Sequence, residues 1–298
     1  MIAYHPSYVH PLPKDHRFPM IKYELLHEQL LRQGVVEETA FFEPNQIEEV
    51  AILLAHSADY WQKLKSLSLT RLEILRTGFP LSAELIKRER LIAAGTLNSS
   101  LNALRTGFGF NIAGGTHHAG SNWGEGFCLL NDQAIAAKYL LEYKEIKKIL
   151  IIDLDVHQGN GTAEIFYDDD RVFTFSMHGK NNFPFKKEKS NLDIGVEDGM
   201  KDKEYLNILE RTLPDLFENV DPHFVFYLSG VDVLATDKMG KLKLSIDGCR
   251  KRDEMVYSLC KQYKIPVQTS MGGGYSSLLH QLVDAHCNTF KVGLSILE

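Results

Sequence analysis

The sequence predicts a single α/β domain over residues 1–298, a parallel β-sheet covered by helices on both faces. Short apolar runs alternate with longer segments of helical periodicity, which is the pattern of strands joined by crossover helices. Glycines and polar, turn-forming residues collect just after the apolar runs, where open parallel sheets place their chemistry. A chain of 298 residues with 44% hydrophobic content is long enough to bury one sizeable core.

The strands are expected at 2–4, 110–112, 149–154, 172–176, 224–228 and 267–269. The run Ile149-Leu150-Ile151-Ile152 is uninterrupted and bounded by charge, so it reads as a strand buried on both faces. Helices are expected at 19–32, 57–65, 82–105, 131–143, 202–217, 246–263 and 276–289. Pro6, Pro11 and Pro13 lie outside any helical pattern, so residues 10–18 read as a loop able to reach the site. Residues 186–191 read as a short, charged, solvated loop.

The net charge of -6 gives no basic footprint for nucleic acid. It is compatible with cationic partners, but it speaks mostly to solubility. No apolar run approaches the ~18–20 residues of a membrane span, so no membrane partner is expected. The N-terminal residues lack the charged and apolar regions of a signal peptide. Cys128, Cys249, Cys260 and Cys287 have no C-x-x-C spacing and read as reduced thiols of a cytoplasmic protein.

Asp153, Asp155 and His157 follow Ile152 at alternate positions, so on an extended backbone they share a face. Two carboxylates and an imidazole call for a charge partner, and a divalent metal supplies one. Taken alone, the motif could equally be a strand end whose turn formers cap the next helix. Four other motifs also follow or precede apolar runs: Gly114-Gly115-Thr116-His117-His118, Gly124-Glu125-Gly126-Phe127-Cys128, Ser229-Gly230-Val231-Asp232 and Gly272-Gly273-Gly274-Tyr275.

In this order the five motifs resemble the zinc-dependent histone deacetylases and their bacterial relatives, over roughly residues 1 to 290. The resemblance implies the arginase–deacetylase architecture. It implies Asp155, His157 and Asp232 as metal ligands, with zinc favoured and ferrous iron tolerated by such ligands. It makes His118 the general base and acid and His117 its electrostatic helper. Asp153 then orients His117 and Asn160 orients His118. Because an amide cannot stabilise an imidazolium by full charge, the two histidines should differ in basicity. Tyr275 is implied as the hydrogen-bond donor to the developing oxyanion.

The same resemblance places Phe127 and Phe183 as walls of a tunnel for an acyl-lysine stem, although Phe183 could also be a core aromatic. It gives the Gly126 carbonyl to the substrate amide and Arg17 to an acetate-release cavity, with a plain surface arginine as the alternative. Asp153, Asp155, His157, Ser176 and Met177 would surround a monovalent cation such as K+. Asn160 and Gln158 stand where some members have Asp and His. With the Gly-Gly-Thr-His-His motif and the compact length, they bring the chain nearer to class IV and bacterial members. The implied activity is metal-dependent removal of an acyl group, acetyl or longer, from an N-acylated amine, with an acyl-lysine peptide as first choice of substrate. An acetylpolyamine amidohydrolase is the second reading. A non-catalytic acyl-lysine binder is the third, and the intact ligands, histidines and tyrosine speak against it.

Overall fold

Strands form where β-branched and aromatic residues concentrate, and the longest apolar runs become the centre of the sheet. In the computed structural model, which describes residues 1–298, eight strands lie in one sheet. They are β1 (Ile2–Ala3), β2 (Phe41–Phe42), β3 (Phe108–Asn111), β4 (Ile149–Asp153), β5 (Val172–Gly179), β6 (Leu192–Val196), β7 (Phe224–Leu228) and β8 (Val267–Ser270). Their spatial order is β2-β1-β3-β8-β7-β4-β5-β6, and every neighbouring pair is parallel. Every residue of β4, β7 and β8 is buried. Successive side chains point to opposite faces, so both faces of the central sheet are covered, as the sequence predicts.

The helices are α1 (Lys22–Arg32), α2 (Glu49–Ala55), α3 (Ala58–Lys65), α4 (Arg71–Thr77) and α5 (Ala83–Thr106). They continue with α6 (Asp132–Tyr143), α7 (Asn160–Ile165), α8 (Asp202–Val220), α9 (Ile246–Tyr263) and α10 (Leu279–Leu297). Side chains fix several starts. Ser82 caps α5, Asn131 caps α6 and Ser245 caps α9, each accepting a backbone N–H of the first turn. α4 opens with a capping box between Thr70 and Glu73. None of these helices is long and apolar enough to cross a membrane, and all four cysteines are free and buried.

β2, β6, α2, α4 and α7 are not among the expected elements. β2 is only two residues long and exists by pairing with β1. β6 alternates exposed and half-buried residues at the sheet edge, so it has no apolar run. α7 begins Asn160-Gly161, and Gly161 lets it pack directly on the Ala119 carbonyl. The segment at 186–191 is not a free solvated loop. Gln158 clasps it by donating to the Glu188 carbonyl at 2.7 Å and accepting the Glu188 N–H at 2.9 Å. The loop at 10–18 does reach the site, packing Phe18 against Phe127 and Tyr275.

Arg252 of α9 ties the centre of the sheet together. Wholly buried, it donates to the carbonyls of Leu154 at 3.3 Å, Ser229 at 3.1 Å and Gly230 at 2.6 Å. These carbonyls lie just beyond β4 and β7. Its charge is met by Asp253, which also accepts from the Tyr227 and Thr289 hydroxyls. Arg252→Met leaves the Asp253 carboxylate buried without its cation. We expect it to cost about 3–5 kcal/mol in urea unfolding. A cost below about 1 kcal/mol would show that the strand ends hold without the guanidinium.

Candidate metal centre and active site

The strands β3, β8, β7 and β4 are consecutive in the sheet, and the loops leaving their carboxyl ends carry the motifs. β4 and β7 are neighbours, with Asp153 in register with Leu228. Asp155 and Asp232 therefore leave adjacent strand ends and converge. The ligating atoms of Asp155, His157 and Asp232 all lie within 4.8 Å of one another, and all three residues are buried. His157 Nδ1 stands 3.0 Å from Asp155 Oδ1 and 3.1 Å from Asp232 Oδ2. Backbone N–H groups orient the carboxylates: Val156 donates to Asp232 at 2.9 Å, and Gly273 donates to Asp155 at 2.8 Å. A Cβ on Gly273 would run into the Asp232 carboxylate, so only glycine lets the turn after β8 come this close.

The electrostatics of this cluster call for a cation. Burial and the neighbouring Asp155 carboxylate push Asp232 up to about 7. Burial also works against the Asp155 carboxylate, but His117 and His157 outweigh it and hold that group well below its usual range. Burial disfavours charge on His157, yet Asp155 and Asp232 raise it to about 10. Two carboxylates that draw positive charge this strongly into a buried site fit a divalent ion, with the imidazole as a neutral third ligand.

The His117–His118 loop is fixed from below. Asp132 accepts the Gly115 N–H at 3.1 Å, the Thr116 N–H at 2.8 Å and the Thr116 hydroxyl at 2.7 Å. The two imidazoles then stand with ring centroids 4.1 Å apart. His117 Nδ1 bonds Asp153 Oδ2 at 2.7 Å, and His118 Nδ1 bonds Asn160 Oδ1 at 2.6 Å. Their basicities diverge as expected. Burial lowers His117, but Asp153 and Asp155 overcome it and raise it to about 9. Burial, His117 and His157 together hold His118 well below the usual histidine range.

Glu125 fixes the orientation of the amide that faces His118. It accepts the Asn160 Nδ2–H at 2.7 Å and an Arg76 N–H at 2.9 Å. With the Asn160 amide nitrogen committed to Glu125, its oxygen must face His118. His118 then donates from Nδ1 and keeps the Nε2 lone pair free to accept a proton. The turn that carries Glu125 needs Gly126, because a Cβ there would come within 2.6 Å of the His118 ring.

Tyr275 is held from two sides. Its N–H donates to Asp237 at 2.6 Å. The buried Lys22 ammonium bonds the Gly272 and Gly274 carbonyls at 3.3 and 3.4 Å and lies 5.5 Å from the Tyr275 ring centroid. Phe127 and Phe183 line one cleft of about 430 Å³ with His118, His157 and Tyr275. Phe183 stands edge-on to His118 at 4.9 Å, and Phe127 lies 5.8 Å from Tyr275. Gly126 lines the cleft too, and its carbonyl has only the weak Cys128 thiol at 3.5 Å as a partner. Beside the cluster, an inner cavity of about 30 Å³ is lined by Asp155, His117, His118, Tyr23, Arg88 and Tyr275.

Arg17 is not at that inner cavity. It is exposed at the outer mouth, with its guanidinium 5.7 Å from the Phe127 ring centroid. The loop bearing it turns outward where Phe18 turns in, and the buried Arg88 and Lys22 take the interior. Ser176 and Met177 lie on β5 beside β4, and Ser176 is in register with Asp153. Sequence reasoning missed Glu125, Lys22, Asp237, Asp132 and Arg88. Lys22 left a trace, since it falls four residues before Leu26 and eight before Leu30 on the buried face of α1.

A buried Asp–His–Asp cluster on the carboxyl ends of a parallel sheet, beside paired histidines and a tyrosine, is a metallohydrolase type of site. The model of the histone deacetylase domain matches residues 16–290. The chain belongs to the histone deacetylase family. It is 44% identical to an uncharacterised protein of Picosynechococcus over 285 residues, covering 96% of this chain and 95% of that one. It is 32% identical to histone deacetylase 2 of Arabidopsis thaliana, covering 95% of this chain and 76% of that one. Among solved structures, a histone deacetylase homologue from Aquifex aeolicus superimposes with a TM-score of 0.83 at 25% identity, covering 98% of this chain and 83% of that one.

The amide orientation is testable. In Asn160→Asp alone, two carboxylates would face each other across the Glu125 contact and compete for a proton. In the double variant Asn160→Asp/Glu125→Gln, a single carboxylate faces His118. Opposite charge favours the imidazolium, so the His118 titration, followed by NMR at fixed metal loading, should move to higher pH. An unmoved or lowered midpoint would break the pairing of residue 160 with His118.

Proposed function

We propose that the protein is a metal-dependent deacylase that hydrolyses the amide of an N-acyl-lysine. The observation that carries this reading is the cleft that Phe127 and Phe183 share with His118, Tyr275 and His157, the last a member of the Asp155–His157–Asp232 cluster. Two flat aromatic walls suit a chain of methylenes leading to an amide. Zinc suits the donor set and ferrous iron would be tolerated. A monovalent cation such as K+ is proposed among Asp153, Asp155, His157, Ser176 and Met177.

A divalent ion held by Asp155, His157 and Asp232 would supply Lewis acidity to the acyl carbonyl and to a water. The protein's own groups do the rest. His118, with Nε2 free, takes the proton of the attacking water and is placed to return it to the departing amine. His117, kept protonated by Asp153, adds positive charge beside the reacting carbon. Burial beside Asp155 and Asp232 pushes the Tyr275 phenol well above its usual range, so it stays a donor to the carbonyl oxygen as negative charge grows there. Phe127, Phe183 and the Gly126 carbonyl position the stem and the amide N–H.

The small inner cavity beside His117, His118, Asp155 and Tyr275 is read as the seat of the acyl group, and its volume of about 30 Å³ suits a short one such as acetyl. The metal-loaded protein should therefore release acetate from an N-acetyl-lysine peptide and act more slowly on a myristoyl peptide. No acetate release would reject the reading. Tyr275→Phe should keep its metal and lose ~10²–10³-fold in kcat with little change in KM. A kcat near that of the wild type would reassign the phenol to packing.

A further inference from the structure

We infer that the mouth of this site selects an acylated amine flanked by negative charge, an acidic peptide rather than a polycation. The inference rests on the deacylase reading and names the substrate class for it. The protein as a whole carries a net charge of -6, yet four cations line the cleft that holds Phe127, Phe183 and Tyr275. They are Arg17, Arg76, Lys238 and Lys241, and no Asp or Glu lines that cleft. They come from three separate parts of the fold: the loop before α1, helix α4, and the segment between β7 and α9. One charged run on a solvated face would not produce this arrangement.

Arg17 and Lys238 are exposed and have no carboxylate within salt-bridge distance. Lys241 donates to the Asn181 carbonyl at 2.9 Å, and its nearest acid, Asp198, stands 3.8 Å away. Arg76 does have Glu125, but that carboxylate is also bonded inward to Asn160. Asp237, close to Lys238 in sequence, is engaged by the N–H groups of Met239, Gly240 and Tyr275. Glu125 and Asp237 are thus engaged by structural hydrogen bonds and Asp198 stands outside the cleft, while the four cations line it. A divalent ion among Asp155, His157 and Asp232 would cancel the remaining negative charge at the floor.

The resulting field attracts an anionic flank and repels a cationic one. An acetylpolyamine, whose next ammonium would emerge at this rim, is the substrate it opposes most. The rim also presents Phe185, 94% exposed, and Leu75, 67% exposed, as apolar contacts for the residues around an acyl-lysine.

The test uses the full, metal-loaded chain and three N-acetyl-lysine peptides of equal length, with acidic, neutral or basic residues on both sides of the lysine. The acidic peptide should exceed the basic one in kcat/KM by ~10-fold or more at low ionic strength. The gap should shrink at ~0.5 M salt, because the rim charges are solvent-exposed. The double variant Arg17→Glu/Lys238→Glu should reverse the order. If that variant does not fold, the single exchange Lys238→Glu and the wild-type salt series carry the same decision. Turnover of all three peptides with equal kcat/KM, or an order that salt does not change, overturns the inference and leaves the deacylase reading standing. Equal turnover together with binding to phosphatidylglycerol vesicles would assign the cations to a membrane surface and overturn it as well. Failure to turn over any peptide rejects the deacylase reading itself, and this inference with it.

Discussion

Asp155 and Asp232 are two carboxylates buried side by side at adjacent strand ends, and most of the neighbouring structure can be read as an answer to their repulsion. Backbone N–H groups of Val156 and Gly273 take one oxygen from each. His157 lies between them. Arg252 gathers the carbonyls just behind them. These groups orient the pair but leave it anionic, and a divalent cation is the ligand that balances it. Gly273 follows from the same constraint, since any side chain there would displace the Asp232 carboxylate.

The histidine pair inherits its asymmetry from that arrangement. His117 faces the carboxylates of Asp153 and Asp155 and is held protonated, while His118 faces an amide and is held neutral. The two imidazoles therefore differ in basicity, which is the asymmetry the proposed acid–base roles require. The chain Arg76–Glu125–Asn160–His118 extends this control to the surface, because the Glu125 carboxylate sets the amide that sets the tautomer.

Much of this was legible in the sequence, and the reasons differ from part to part. The central strands announce themselves because β4 and β7 are buried on both faces and must be apolar throughout. Asp155 with His157, and His117 with His118, are legible because each pair sits at fixed spacing within one loop, while Asp232 is legible only through its own Ser-Gly-Val-Asp motif after β7. Residues that act across the fold leave no such local mark. Glu125 is one acid in a glycine-flanked turn until Asn160, 35 residues on, is folded against it. Lys22 and Tyr275 are brought together only when α1 meets the turn after β8. Arg17 takes the surface alternative for the complementary reason: its motif fixes a position in the chain, but the turn at Phe18 decides whether a side chain faces the interior or the mouth.

The Asp155–His157–Asp232 cluster is suited to hold one divalent ion, and metal binding probes this more directly than turnover does. Apo protein titrated with Zn2+ should take up one tightly held equivalent per chain and show a higher unfolding midpoint when loaded. Asp232→Asn, which keeps the size of the side chain and removes its charge, should lose that equivalent and the accompanying stabilisation. Retention of a full, tightly bound equivalent by Asp232→Asn would remove Asp232 from the metal site.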